Sequence, residues 1–205
     1  MSKLLFIGGT GFLGQSFFDY LNNGIIKKPK FSKIIVVSRK GKKLKSKVKT
    51  SFIKKSVTNL KKIPLTDYII YAVNSKNNNE NIRGIKNFVK LLTKHHKKTK
   101  ILFTSSGAVY GKSSIKKKFK ENQKINLKNI NKLNGYKKNY AKSKIFIENE
   151  FHKLGRKGYN VSIVRLFTFI GKRILDNKNF AISNLINQAT NPNSKEIKLI
   201  SSNNV

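Results

Sequence analysis

Gly8-Gly9-Thr10-Gly11-Phe12-Leu13-Gly14 decides the fold. It follows the apolar run Leu4–Ile7 directly and leads into Leu13, Phe17 and Leu21, which recur every four residues. The pattern predicts a strand, Lys3–Gly8, a tight turn, and a helix from about Phe12. Gly8, Gly11 and Gly14 fall at G-x-x-G-x-x-G spacing. At such spacing the first glycine allows the turn, the second lets the backbone approach a pyrophosphate, and the third lets helix and strand pack closely. The helix start adds free N–H groups and the positive end of its dipole. Thr10, Phe12 and Leu13 belong to the same candidate cradle.

Outward from this turn, short apolar runs alternate with amphipathic stretches, the signature of βαβ units in a parallel sheet. Further strands are predicted at Lys33–Ser38, Ser51–Lys54, Tyr68–Val73, Lys100–Ser105 and Val161–Phe167. They are nearly continuous in Ile, Val and Phe, as strands covered on both faces should be. Helices are predicted over Glu80–His95, with Ile82, Ile85, Val89 and Leu92 inward, over Tyr136–Leu154, with Tyr140, Ile147, Phe151 and Leu154 inward, and over Phe180–Ala189. His95-His96 then closes a helix, where a cation suits the dipole. Lys40–Lys49 and Gly111–Gly135 read as loops. The expected fold is α/β, a doubly wound parallel sheet of the Rossmann type.

Charge raises a second possibility. The 205 residues carry 45 Lys and Arg against 8 Asp and Glu, a net charge of +37. Only five of the basic residues are Arg, and the Lys are spread along the whole chain. A base-reading protein favours Arg, whose fork pairs with guanine. The excess of Lys, together with abundant Asn, therefore reads as compositional, with no specific nucleic-acid partner. The absence of Cys fits a reducing compartment. The first apolar run is too short for a signal peptide, and no stretch approaches the roughly 20 apolar residues of a membrane helix. The expectation is a soluble, cytoplasmic protein.

The second strand ends Val37-Ser38-Arg39-Lys40, without the carboxylate that would hold the ribose 2′-OH of NAD. Ser38 and Arg39 are the candidate contacts there. Arg39 could meet a 2′-phosphate, which favours NADP over NAD. Tyr140 and Lys144 stand four apart, on one face of a helix. A Lys ammonium beside a phenol favours the phenolate, so Tyr140 could exchange the proton of an alcohol–ketone pair. Ser105 and Ser106 end the fifth strand at the carboxyl edge of the sheet, where ligands bind.

In this order and spacing the chain resembles the extended short-chain dehydrogenases/reductases, the NAD-dependent epimerase/dehydratase family of nucleotide-sugar enzymes. Gly8–Gly14 resembles the cofactor turn. Ser105-Ser106-Gly107-Ala108-Val109-Tyr110-Gly111 resembles the S-x-x-V-Y-G segment, with Ser106 at the catalytic hydroxyl. Tyr140–Lys144 resembles the Y-x-x-x-K site, where the Lys also holds the nicotinamide ribose. Asn81–Gly84 resembles an N-x-x-G segment near the active site. Ser56-Val57-Thr58 stands where many members have D-V-T beside the adenine. Arg165–Gly171 resembles R-x-F-N-x-x-G, with Thr168 at the Asn. Ala72, closing the fourth strand, joins Ser56, Val57 and Asn81 as a cofactor contact.

The resemblance implies hydride transfer at a carbon of a nucleotide sugar, with Ser106, Tyr140 and Lys144 as catalytic residues and NAD(P) as cofactor. Gly107-Ala108 replaces the Asp-Glu pair of the 4,6-dehydratases, which argues for epimerisation or reduction. The resemblance also implies a homodimer through the helices carrying Asn81 and Tyr140. Family members continue well past this point to build a sugar-binding lobe. The expected division is therefore a cofactor domain over 1–175 and the start of an incomplete or minimal substrate lobe over 176–205. The alternative is a catalytically incomplete NAD(P)-binding or regulatory module.

Other chemistries lack their residues. The eight carboxylates show no pairing suited to glycoside hydrolysis, and Glu148 and Glu150 read as surface ion pairs on the Tyr140 helix. Without Cys, and with scattered acids, no metal site is expected. Gly111-Lys112-Ser113 lacks the earlier glycine of a phosphate-binding loop.

Overall fold

The computed structural model of the chain describes residues 1–41, 44–112, 118–167, 173, 181–193 and 196. Six strands form one sheet: β1 (Ser2–Ile7), β2 (Phe31–Ser38), β3 (Thr50–Lys54), β4 (Tyr68–Tyr71), β5 (Lys100–Ser106) and β6 (Asn160–Leu166). Their order is β3-β2-β1-β4-β5-β6, and every pairing is parallel. The order reverses between β1 and β4. A crevice opens at such a switch point, outside the carboxyl ends of the strands.

Helices are α1 (Phe12–Asn22), α2 (Asn78–Leu91), α3 (Leu127–Asn131), α4 (Gly135–Arg156) and α5 (Ala181–Ala189). β1 shows why the strands are apolar without alternation. Leu5 and Ile7 join Ile85 and Phe88 of α2 and Ile147 and Phe151 of α4 in one core. Leu4 and Phe6 point the other way and pack with Phe18 of α1. Each fully buried side chain of this kind contributes roughly 1.5–3 kcal/mol, so both faces are committed. Tyr71, Phe88, Phe103 and Phe151 knit the first core, with Phe103 stacked on Phe151 at 4.8 Å. Among the described residues no helix is long and apolar enough to cross a membrane.

Three local expectations are corrected. Of the stripe predicted for α2, Ile85 and Leu92 are buried and Val89 packs against the core, but Ile82 is only half-buried and Asn81, Gly84 and Phe88 complete the buried face. Asn81 and Gly84 are polar or small, so periodicity passes over them. α2 also stops at Leu91, and Lys94–Lys98 forms a separate 3₁₀ turn. His96 does not close α2: it is buried, and its Nδ1 lies 3.0 Å from Thr93 N, whose N–H it accepts. Finally, the loop predicted over Gly111–Gly135 contains α3, capped by the Asn126 side chain. Thr168–Gly171, the boundary at 175 and most of Glu196–Ser201 lie outside the described residues.

Candidate active site

The glycine turn builds a cleft of about 520 Å³ at the switch point. Gly8 has φ +87°, and a Cβ there would lie 2.6 Å from Ala72 O, so β1 turns directly against the end of β4. Gly14 lies behind the turn: its Cβ would fall 1.9 Å from Gly9 O, so the first turn of α1 leaves no room for a side chain against the turn backbone. Gly8, Thr10, Gly11, Phe12 and Leu13 all line the cleft, and the N-terminus of α1 opens there. Backbone N–H groups at that end suit a pyrophosphate.

The other predicted contacts arrive from neighbouring strands. Ser38 and Arg39 line the cleft after β2, Ser56 and Val57 after β3, and Ala72 after β4. Ser38 bonds the Thr10 hydroxyl, tying the end of β2 to the glycine turn. The Ser56 hydroxyl accepts from Thr58 Oγ1 at 2.9 Å. Asn81 is buried, and both ends of its amide hold Ser75: Oδ1 accepts from Ser75 N at 2.7 Å and Nδ2 donates to Ser75 O at 2.8 Å. It clamps the loop that follows β4. Lys144, also counted among the cofactor contacts, is not in this lining.

Sequence reasoning missed Glu80, which lines the same cleft from α2. Its Oε2 lies 3.1 Å from Arg39 Nη1 and accepts from Ser75 Oγ at 2.6 Å. Arg39 is therefore not a solitary cation. A signal was present: Asn77 caps α2 and Glu80 is its third residue, an N-terminal pattern that fixes a helix start.

β5 and α4 bring Ser106, Tyr140 and Lys144 together. The Ser106 hydroxyl faces the Tyr140 phenol and favours its charged form. Lys144 Nζ lies 5.7 Å from the centre of the Tyr140 ring and 5.1 Å from that of Phe103, and donates to Thr104 O at 3.0 Å. Burial raises the phenol above its usual value. The Ser106 hydroxyl opposes that rise, and Tyr136, stacked one turn away, adds to it. The expected lowering of the phenol is not what the site gives, because burial outweighs the influences that favour its charged form. Burial also pushes Lys144 itself down to about 8, with Glu148 pulling the other way.

Glu148 corrects the reading of a surface ion pair. It is 1 % exposed. It accepts from Ser105 Oγ at 2.5 Å and takes two hydrogen bonds from Arg165, at 3.0 and 2.8 Å. Arg165 also donates to the Tyr110 hydroxyl at 2.8 Å, and Tyr110 stacks on Phe119. The hydrogen bonds to Glu148 raise the Arg165 guanidinium further above its usual range. So the two serines of β5 divide their work: Ser105 is structural and Ser106 faces Tyr140. Glu150 behaves as expected, paired with Lys153 at the surface.

A wider hollow of about 760 Å³ beside β6 is lined by Tyr110, Phe119, Phe151 and Arg165 among others. It holds none of the predicted site residues. The smaller cleft holds the glycine turn, so that is where a dinucleotide fits.

The sequence matches the model described as "NAD dependent epimerase/dehydratase family" over residues 4–204. The chain belongs to this family. No curated protein matches it. It is similar in structure to dTDP-glucose 4,6-dehydratase from Bacillus anthracis in complex with NAD, with a TM-score of 0.68 and 17% identity over 92% of this chain and 61% of that one. It is similar also to UDP-glucuronic acid 4-epimerase from Bacillus cereus in complex with NAD, with a TM-score of 0.58 and 18% identity over 91% and 62%. The reductase domain of an aureusimine biosynthetic cluster gives a TM-score of 0.60 and 16% identity over 91% and 55%. The chain thus spans about three fifths of the length of the first two, and the likeness is one of fold.

In this epimerase/dehydratase chain the lowered Lys144 sets a stability prediction. A lysine depressed from 10.5 to about 8 binds fewer protons folded than unfolded across that window, so stability rises with pH there. Below about 8 the buried charge carries its full penalty. Lys144→Met is expected to be at least as stable as the wild type at pH 7. Wild type should then gain on it by about 1–3 kcal/mol between pH 8 and 10.5. Urea unfolding of both at pH 7 and pH 10 checks this; a pH-independent difference would show that the site does not penalise the charge.

Proposed function

We propose that the cleft binds NAD(P) and that the chain takes part in epimerisation or reduction of a nucleotide sugar, with Tyr140 as acid and base. The observation that carries the reading is the meeting of Ser106 and Tyr140 at the carboxyl edge of the sheet, where the glycine cleft also opens. The cleft fits a dinucleotide: a Cβ at Gly8 would close the turn, and α1 begins at the turn. When bound, NAD(P) supplies or accepts the hydride. Tyr140 holds or takes the proton of the reacting oxygen. The Ser106 hydroxyl faces the phenol and supports its charged form. Lys144 keeps a positive charge beneath the ring, and Glu148 helps it stay protonated. Gly107 and Ala108 bring no carboxylate next to Ser106, so these positions lack the acid that an elimination would use.

Titration with NADH and NADPH, read by the nicotinamide's own fluorescence because the chain has no Trp, tests the first step. Saturable binding of either supports the reading. No binding of either by folded protein would remove it. Binding without turnover on UDP- and dTDP-hexoses would favour a cofactor-binding or regulatory module.

A further inference from the structure

β2 ends without an acidic residue, yet a carboxylate stands at its end in space. Glu80 reaches from the first turn of α2 to within 3.1 Å of Arg39 Nη1, and both residues line the glycine cleft. The residue after β2 is where a dinucleotide fold reads the adenosine ribose: an acid there takes the 2′-OH, a cation takes a 2′-phosphate. From this we propose that Glu80 is the residue that selects NAD over NADP, by standing in for the acid β2 lacks and by cancelling Arg39. The assignment rests on the cofactor reading of the cleft.

Three observations hold Glu80 in that role. Ser75 Oγ donates to the same Oε2 at 2.6 Å, and Ser75 is itself fixed at both backbone groups by buried Asn81. The carboxylate is therefore placed from its own side of the cleft and does not depend on Arg39. Its position at the start of α2, capped by Asn77, favours a negative charge. And both contacts use Oε2, which leaves Oε1 with acceptor capacity among the described residues. Arg39 is the more exposed partner, 58 % against 34 %. It is Arg39 that is drawn to Glu80.

A 2′-phosphate adds close to two negative charges. Next to Glu80 it meets repulsion, and the cation that would receive it is already paired. Lys40 and Lys55 also line the cleft and pull towards phosphate, so the effect of Glu80 must appear as a change in the ratio of the two affinities. Wild type, E80Q and E80K are titrated with NADH and NADPH at one fixed salt concentration, with circular dichroism to confirm folding. Wild type is expected to bind NADH more tightly. E80Q keeps the shape of the side chain and removes its charge, and should move the affinity ratio about tenfold towards NADPH; E80K should move it further. A shift of less than about threefold in both variants, or tighter binding of NADPH by wild type, overturns the assignment while leaving the cofactor reading standing. Failure of folded wild type to bind either dinucleotide overturns both.

Discussion

Under the proposed mechanism, Tyr140→Phe is expected to lower turnover of a nucleotide sugar by about 10²–10⁴-fold, the usual contribution of a positioned proton donor. The substitution removes one oxygen and leaves the ring, so its stack with Tyr136 at 6.0 Å is kept. Tyr140 is not in the lining of the dinucleotide cleft, and cofactor affinity should stay within a few-fold of wild type. Removing the phenol oxygen breaks no hydrogen bond of the core, so the chain should stay folded. Turnover and cofactor titration measured side by side separate the two effects. Full turnover by Tyr140→Phe would sink the mechanism.

The direction of the phenol's shift gives the same residue a pH signature. Burial raises Tyr140 above its usual value, so at neutral pH it carries its proton. In that state it can give a proton to a carbonyl oxygen, and it takes one from an alcohol only in its ionised fraction. Reduction of a ketone should thus run at its plateau near neutral pH. Oxidation of an alcohol should rise with pH until the phenol ionises. Ser106→Ala removes the hydroxyl that favours the phenolate and should move the oxidative limb to higher pH. A limb that stays in place in Ser106→Ala would mean that Tyr140 is not the titrating group.

The parts of the molecule that could be read from the sequence are those whose determinants are local. The glycine turn places three glycines within seven residues, and a side chain at Gly8 would meet Ala72 beyond β4 while one at Gly14 would meet Gly9 of the turn itself. Strands buried on both faces announce themselves as apolar runs, as Leu4–Ile7 does. Tyr140 and Lys144 are one helical turn apart and so share a face whatever the tertiary fold. What stayed hidden depends on distant partners. Glu148 lies in a helix crowded with Lys, where any acid looks like a surface residue; its partners are Ser105 on β5 and Arg165 on β6. Glu80 and Arg39 are 41 residues apart and meet only because β1 sits between β2 and β4. Lys144 could be placed beside Tyr140 from spacing alone, but the Thr104 carbonyl that orients it comes from another strand.

Glu148→Ala is the substitution with the largest expected cost to stability. It empties a site that is 1 % exposed and strips Arg165, itself 19 % exposed, of its carboxylate. Removing one partner of a buried pair costs about 3–5 kcal/mol, because the charge left behind has no replacement for water. Ser105 loses its acceptor as well. For a chain of this size the loss corresponds to a fall in Tm of roughly 10 °C. Three further outcomes distinguish a broken ion pair from a simple cavity. Glu148→Gln keeps the volume and an acceptor for Ser105, yet should still lose much of the stability because Arg165 remains uncompensated. The double variant Glu148→Leu/Arg165→Met, which removes both charges, should be less damaged than Glu148→Ala, as buried pairs replaced together often are. Lys144 should titrate lower in Glu148→Gln, since the carboxylate that raises it is gone. The active site would then feel a change made one helical turn away. If Glu148→Ala and the double variant were equally unstable, the energy would reside in packing around Phe151 and β6 and not in the charge pair.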